Sequence, residues 1–145
     1  MMIFIDNRSG EDLPLDEYQA LAEFVLSQED VLGDAELSLS LVTAGEIHEL
    51  NREFRNINAP TDVLSFENDD ELLGDVIICP VVAREHAHDF NSTFEREMAL
   101  MLTHGILHLR GYDHVDDDEA EIMEARENAL LAAWQKRVES EGAHE

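Results

Sequence analysis

The sequence predicts an α+β fold, with a small mixed sheet of about four strands packed against several helices. Three observations point there. Strand-like segments cluster in the first half of the chain and helical ones in the second. The opening reads strand, helix, strand. The 145 residues, 44% of them apolar, show no internal repeat and no linker, so one domain across residues 1–145 can bury a core without disulfides.

Met2 to Asn7 alternates well enough for an opening strand, and Leu13 to Leu26 carries Tyr18, Leu21, Ala22 and Val25 at helical spacing. Glu36 to Val42 alternates strictly, as a half-buried strand does. Thr43-x-x-Glu46 has the form of a capping box and opens a helix to about Phe54. Asp62–Phe66 and Val76–Cys79 read as two further strands joined by an acidic, hairpin-like loop, Glu67–Glu71. Pro80 opens a helix to about Phe90. Asn91-Ser92-Thr93 offers caps for the next helix, Phe94 to Leu109. Asp116 to Glu119 places negative charge at the start of the last helix. That helix is expected to turn Ile122, Met123, Ala129, Leu130, Ala133 and Trp134 inward and to fray from Ser140.

The net charge of −25 comes from 34 acidic and 9 basic residues, with Lys136 the single lysine. Non-specific nucleic-acid binding relies on clustered Lys and Arg, and this composition argues against it. Dense carboxylates with scarce lysine resemble the surfaces of proteins from a high-salt cytoplasm. The lone cysteine, Cys79, ends an apolar run and reads as a buried small hydrophobe. No apolar run reaches transmembrane length, and the first residues lack the basic start and long apolar stretch of a signal peptide. A cytoplasmic location is expected, with no membrane partner.

His104-Gly105-Ile106-Leu107-His108-Leu109-Arg110-Gly111-Tyr112-Asp113-His114 is the most informative stretch. Histidines four apart share one helix face. Gly111 can take positive φ and turn the chain after the helix, so that His114 swings back toward His104 and His108. Three imidazoles around one point hold a metal and leave a position open, whereas a structural zinc site normally has four protein ligands. The metal site would thus lie on a helix and its following turn. The spacing matches that of the metzincin zinc proteases, which place a Glu general base directly after the first His. Gly105 stands there instead, so ordinary zinc-peptidase chemistry is disfavoured. His48, His86, His88 and His144 fall outside the constellation, and His86 and His88, two apart on a helix, read as surface residues.

The stretch Asn51 to Phe66 is the second informative region, with a helix end at Arg55, a Pro-bearing turn and a strand. Alone, Arg55 reads first as a helix C-terminal cation. Together the two regions closely resemble the YbeY family of bacterial zinc-dependent endoribonucleases, also called rRNA maturation factors. The matching pieces are Asn51-x-x-Phe54-Arg55, Pro60-Thr61-Asp62-Val63-Leu64-Ser65-Phe66, Leu73-Gly74-Asp75-Val76-Ile77-Ile78 and the His104–His114 motif, in fitting order and separation. In that family the Gly after the first His is the usual form. Two positions depart: Asn58-Ala59 replaces a common Asp-Lys, and Glu67 replaces a common Pro.

The resemblance implies a zinc-dependent, single-strand-specific endoribonuclease acting in rRNA maturation, notably at the small-subunit 3′ end, and in ribosome quality control. It carries metal ligation to His104, His108 and His114, with one Zn²⁺ per chain, and a catalytic role to Arg55. Its partners would be ribosomal RNA and the small ribosomal subunit, not DNA. Arg55 would hold and neutralise phosphate oxygens bidentately. Asp113 is open to three roles: accepting an imidazole N–H from beside a ligand, a turn carboxylate, or a base. Asp62 and Asp75 read as structural, and Tyr112 as a packing residue. A three-imidazole site would also accept nickel or copper. Two other classes stay open: a zinc hydrolase of peptides or small esters, and a non-catalytic ribosome-assembly module with a structural metal.

Overall fold

The computed structural model describes residues 2–31, 35–67, 73–112 and 116–142. Its elements run β1 (Met2–Asn7), α1 (Leu15–Gln28), β2 (Glu36–Leu41), α2 (Ala44–Arg55), β3 (Val63–Glu67), β4 (Gly74–Ile78), α3 (Pro80–Asp89), α4 (Phe94–Leu109) and α5 (Asp117–Gly142). The four strands form one sheet in the order β1-β2-β4-β3. β1, β2 and β4 are parallel, and β3 pairs antiparallel with β4, so the sheet is mixed as expected.

Alternation assigns the faces of the sheet. Leu37, Leu39 and Leu41 of β2 are fully buried, and Leu39 and Leu41 sit opposite Val76 and Ile78 of β4. These residues join the main core, with α1, α4 and α5 packed against them. Ile77 and Leu64 project the other way, into a smaller cluster with Val42, Ile47 of α2, Cys79 and Val82 of α3. Cys79 is buried there as a hydrophobe. It lies just after β4 and before α3, so the strand ends one residue earlier than its apolar run.

α4 is the central helix. Met98, Met101, Leu102, Ile106, Leu107 and Leu109 are all buried. Thr93 caps it, accepting from the Arg96 N–H at 3.1 Å. Thr43 caps α2 in the same way through Glu46 N–H at 3.1 Å. The capping box is only half made, because the Glu46 carboxylate turns away to pair with Arg8 at 2.6 Å. Asp116 caps α5 through Glu119 N–H at 2.8 Å.

The stripe expected on α5 is corrected. Met123 and Leu130 are buried and Trp134 is half-buried against Phe24, with ring centroids 5.4 Å apart. Ile122 is 62% exposed, and Ala129 and Ala133 are exposed too. Each helical residue turns the side chain about 100°, so only one line of steps four and three can face inward. That line is Met123, Glu127, Leu130, Trp134, and it includes a carboxylate. The helix runs to Gly142, two residues past Ser140. Of the acidic loop between β3 and β4, Glu67 belongs to β3 and residues 68–72 lie outside the described ones.

Candidate functional site

Two glycines let the site form. Gly105 sits where α4 crosses the pair Ser65 and Val76, which are cross-strand partners of β3 and β4. A Cβ there would stand 2.7 Å from Val76 Cγ1 and 3.2 Å from Ser65 Oγ. The helix therefore lies on the sheet at a distance no larger residue permits, and the Ser65 hydroxyl donates to the Gly105 carbonyl at 3.0 Å. A glutamate has no room at this position, so the missing Glu of the zinc-peptidase pattern has a packing cause. Gly111 ends the helix with φ +98° and donates its N–H to the His108 carbonyl at 3.1 Å, the sharp turn expected of it.

This approach places His104 and His108, one turn apart and both half-buried, on the wall of a cleft of about 810 Å³. Arg55, at the end of α2, lines the same cleft, as do Asp62, Ser65 and Phe66 at the β3 edge. The α2 end is fixed by Asn51, a buried residue whose amide donates to the Ala59 carbonyl at 2.8 Å. Phe54 adds an edge-on contact with Phe66, ring centroids 5.2 Å apart. Asn56 then takes a left-handed conformation, φ +56°, and turns the chain toward β3. His114 and Asp113 lie outside the described residues, and among the described residues no group of three metal-ligating side chains converges.

Two cleft residues depart from expectation. His86 is half-exposed in the cleft, not on an open surface, with Nδ1 3.7 Å from Asp62 Oδ2. Asp62 keeps a structural role, accepting from Val63 N–H at 2.8 Å, but its other oxygen faces that imidazole. Glu127 was missed altogether. It is 7% exposed on α5, and Oε1 lies 2.5 Å from His104 Nδ1. That hydrogen bond pushes the His104 pKa up, with burial opposing it. The signal was present in the sequence: a carboxylate on the apolar line of a helix, at a place that would otherwise take Leu.

Residues 4–135 match the family described as Endoribonuclease YbeY. The chain belongs to the YbeY family. Endoribonuclease YbeY of Frankia alni is 42% identical over an alignment covering 98% of this chain and 87% of that protein. Endoribonuclease YbeY of Legionella pneumophila strain Corby is also 42% identical, over 90% of this chain and 87% of that one. The solution structure of TM1509 from Thermotoga maritima superposes with a TM-score of 0.63 at 34% identity, covering 94% of this chain and 93% of that one.

The electrostatics of this YbeY cleft invite a cation. The described lining residues include three carboxylates, Asp62, Glu97 and Glu127, and one guanidinium, Arg55. The described lining is thus net acidic, which favours a cation. The donor set also fits zinc or a neighbouring transition metal: with His104 Nδ1 donating to Glu127, Nε2 carries the ring's lone pair, and His108 is its i,i+4 neighbour. No helix among the described residues is long and apolar enough to cross a membrane.

Proposed function

We propose that this YbeY-family endoribonuclease cleaves single-stranded RNA at a metal centre held by His104, His108 and His114. Its substrate is ribosomal RNA, notably the small-subunit 3′ end, and it acts in the cytoplasm on ribosomal particles. One observation carries the reading: His104 and His108 stand one turn apart on α4 in a cleft that Arg55 also lines. Zinc in that position supplies Lewis acidity toward water and phosphoryl oxygens near neutral pH.

The chain's own residues supply the rest. Arg55 presents a planar fork to phosphate oxygens and opposes the charge that builds on them. Its exposed place at the end of α2 lets it meet a strand entering from solvent. Phe66 lines the cleft beside it, and Phe90, 71% exposed, lines it from the α3 side. Aromatic faces of this kind stack on unpaired bases, which a duplex does not offer, and this supports single-strand specificity. Gly105 provides no side-chain proton acceptor, so the residue beside the first histidine takes no part in proton transfer.

Arg55→Ala is expected to lower cleavage of a single-stranded RNA oligonucleotide ~10²-fold or more, with zinc content by elemental analysis unchanged. Arg55→Lys should recover little, because a point charge does not reproduce the fork. Near-normal cleavage by folded, metal-loaded Arg55→Ala removes Arg55 from the mechanism. A wild-type chain that hydrolyses peptides or esters and leaves RNA intact refutes the ribonuclease reading.

A further inference from the structure

Glu127 occupies a position that apolar packing alone would not give to a carboxylate. Met123 and Leu130, one turn before and one turn after it on α5, are each 2% exposed. Leu or Met would complete that line at no electrostatic cost, whereas a buried carboxylate is costly unless it is paired and hydrogen-bonded. The charge is matched to His104 across the α4–α5 interface, 23 residues away in the chain, through a 2.5 Å contact to Nδ1. The neighbouring Arg126 is directed elsewhere: its guanidinium pairs with Glu29 at 2.8 Å and donates to the Gln28 carbonyl at 3.1 Å. Those bonds pin α5 to the end of α1 and hold the register that aims Glu127 at α4.

We propose that Glu127 is a positioning residue for the metal centre: its buried carboxylate accepts the Nδ1 proton of His104 and so fixes that ring's orientation and tautomer. The assignment rests on the metal reading above. A metal-bound imidazole typically gives its second N–H to a carboxylate or carbonyl, which raises its basicity and stops the ring from rotating. Glu127 supplies that partner from a helix outside the histidine motif. The centre is then only as well ordered as the docking of α5. Nothing in this role brings Glu127 to the substrate.

The test uses the full-length chain, wild type, Glu127→Ala and Glu127→Gln, stripped of metal with a chelator. Zinc affinity is measured by competition with a chromophoric chelator at one fixed pH, the visible spectrum with Co²⁺ in place of zinc, and the melting temperature without metal. Glu127→Ala should weaken zinc binding about 10- to 100-fold. Glu127→Gln keeps an acceptor of the same shape without the charge, so it should lose less, and both should alter the cobalt bands. Should the alanine variant fail to fold, the near-isosteric glutamine variant decides. Wild-type zinc affinity and cobalt spectra in the folded variants, with only the metal-free melting temperature lowered, would overturn the assignment and leave Glu127 as a structural partner. A wild-type chain that takes up no transition metal overturns the metal reading itself, and this assignment with it.

Discussion

Gly105 shows how one residue sets both a packing distance and a chemistry. Ala in a helix interior is favoured over Gly by about 1 kcal/mol. Here the added methyl would meet Val76, a short branched side chain with no accessible surface. Overpacking of this kind costs about 1–3 kcal/mol. Gly105→Ala is therefore expected to lower stability in urea unfolding, and truncating the obstacle with Val76→Ala should make the glycine substitution less harmful in a double-mutant cycle. An unchanged midpoint for Gly105→Ala would show slack between α4 and the sheet. Tyr18 offers a second test at the same scale. Its buried ring pushes the hydroxyl pKa up to about 12, chiefly by desolvation. An unfolded tyrosine ionises near 10. The stabilising contribution is thus complete below about pH 10 and disappears as the pH rises to about 12, a loss of about 2–3 kcal/mol. Tyr18→Phe should unfold with a flatter dependence on pH across that window, and parallel curves for the two proteins would contradict it.

At the scale of elements, α5 is the one whose packing matters most for the cleft. Leu130 lies one turn beyond Glu127 in the same inward line and is 2% exposed. Leu130→Ala should cost about 2–5 kcal/mol by cavity formation. It should also weaken zinc binding, because the same helix carries Glu127. A destabilised variant with unchanged zinc affinity would show that α5 keeps its register without that side chain. The elements themselves were mostly legible in the sequence, since period-two and period-3.6 patterns, Pro80, Thr93 and Thr43 mark their limits physically. α4 is described over Phe94–Leu109, the same limits that its caps and periodicity predict. The inward line of α5 was less legible, because Ile122 and two alanines suggested a broad stripe where burial follows a narrow one. The partnership of Glu127 with His104 was hidden for a different reason. It joins residues 23 apart on two helices, and no local spacing encodes how those helices cross. His86 and Asp62 met in the cleft through the same kind of long-range placement.

For the whole molecule, the charge of −25 governs how it meets a polyanion. Arg55 is the one cation among the described residues lining the cleft. RNA affinity of the isolated protein should therefore depend only weakly on salt. On single strands each neutralised phosphate contributes a slope of about −0.7, so Arg55 together with the proposed divalent metal gives a total of roughly −1 to −2. Binding should be weak without Mg²⁺ or the small ribosomal subunit. A steep negative slope for the protein alone would reveal an extended basic surface. Salt should act on stability in the opposite sense, raising the melting temperature as it screens the repulsion among carboxylates.

The cleft draws its walls from α2, β3, α3, α4 and α5, so its residues run from Arg55 to Glu127 along the chain. That spread has a consequence for timing. Chains emerge from the ribosome N-terminus first. While α5 is still unreleased, β1 to α4 can gather, but Met123 and Leu130 are missing from the core and Glu127 from beside His104. Until α5 has emerged, a nascent copy lying among the ribosomal RNA of the particle making it lacks a finished cleft. Cutting power waits on the packing of that helix against α4.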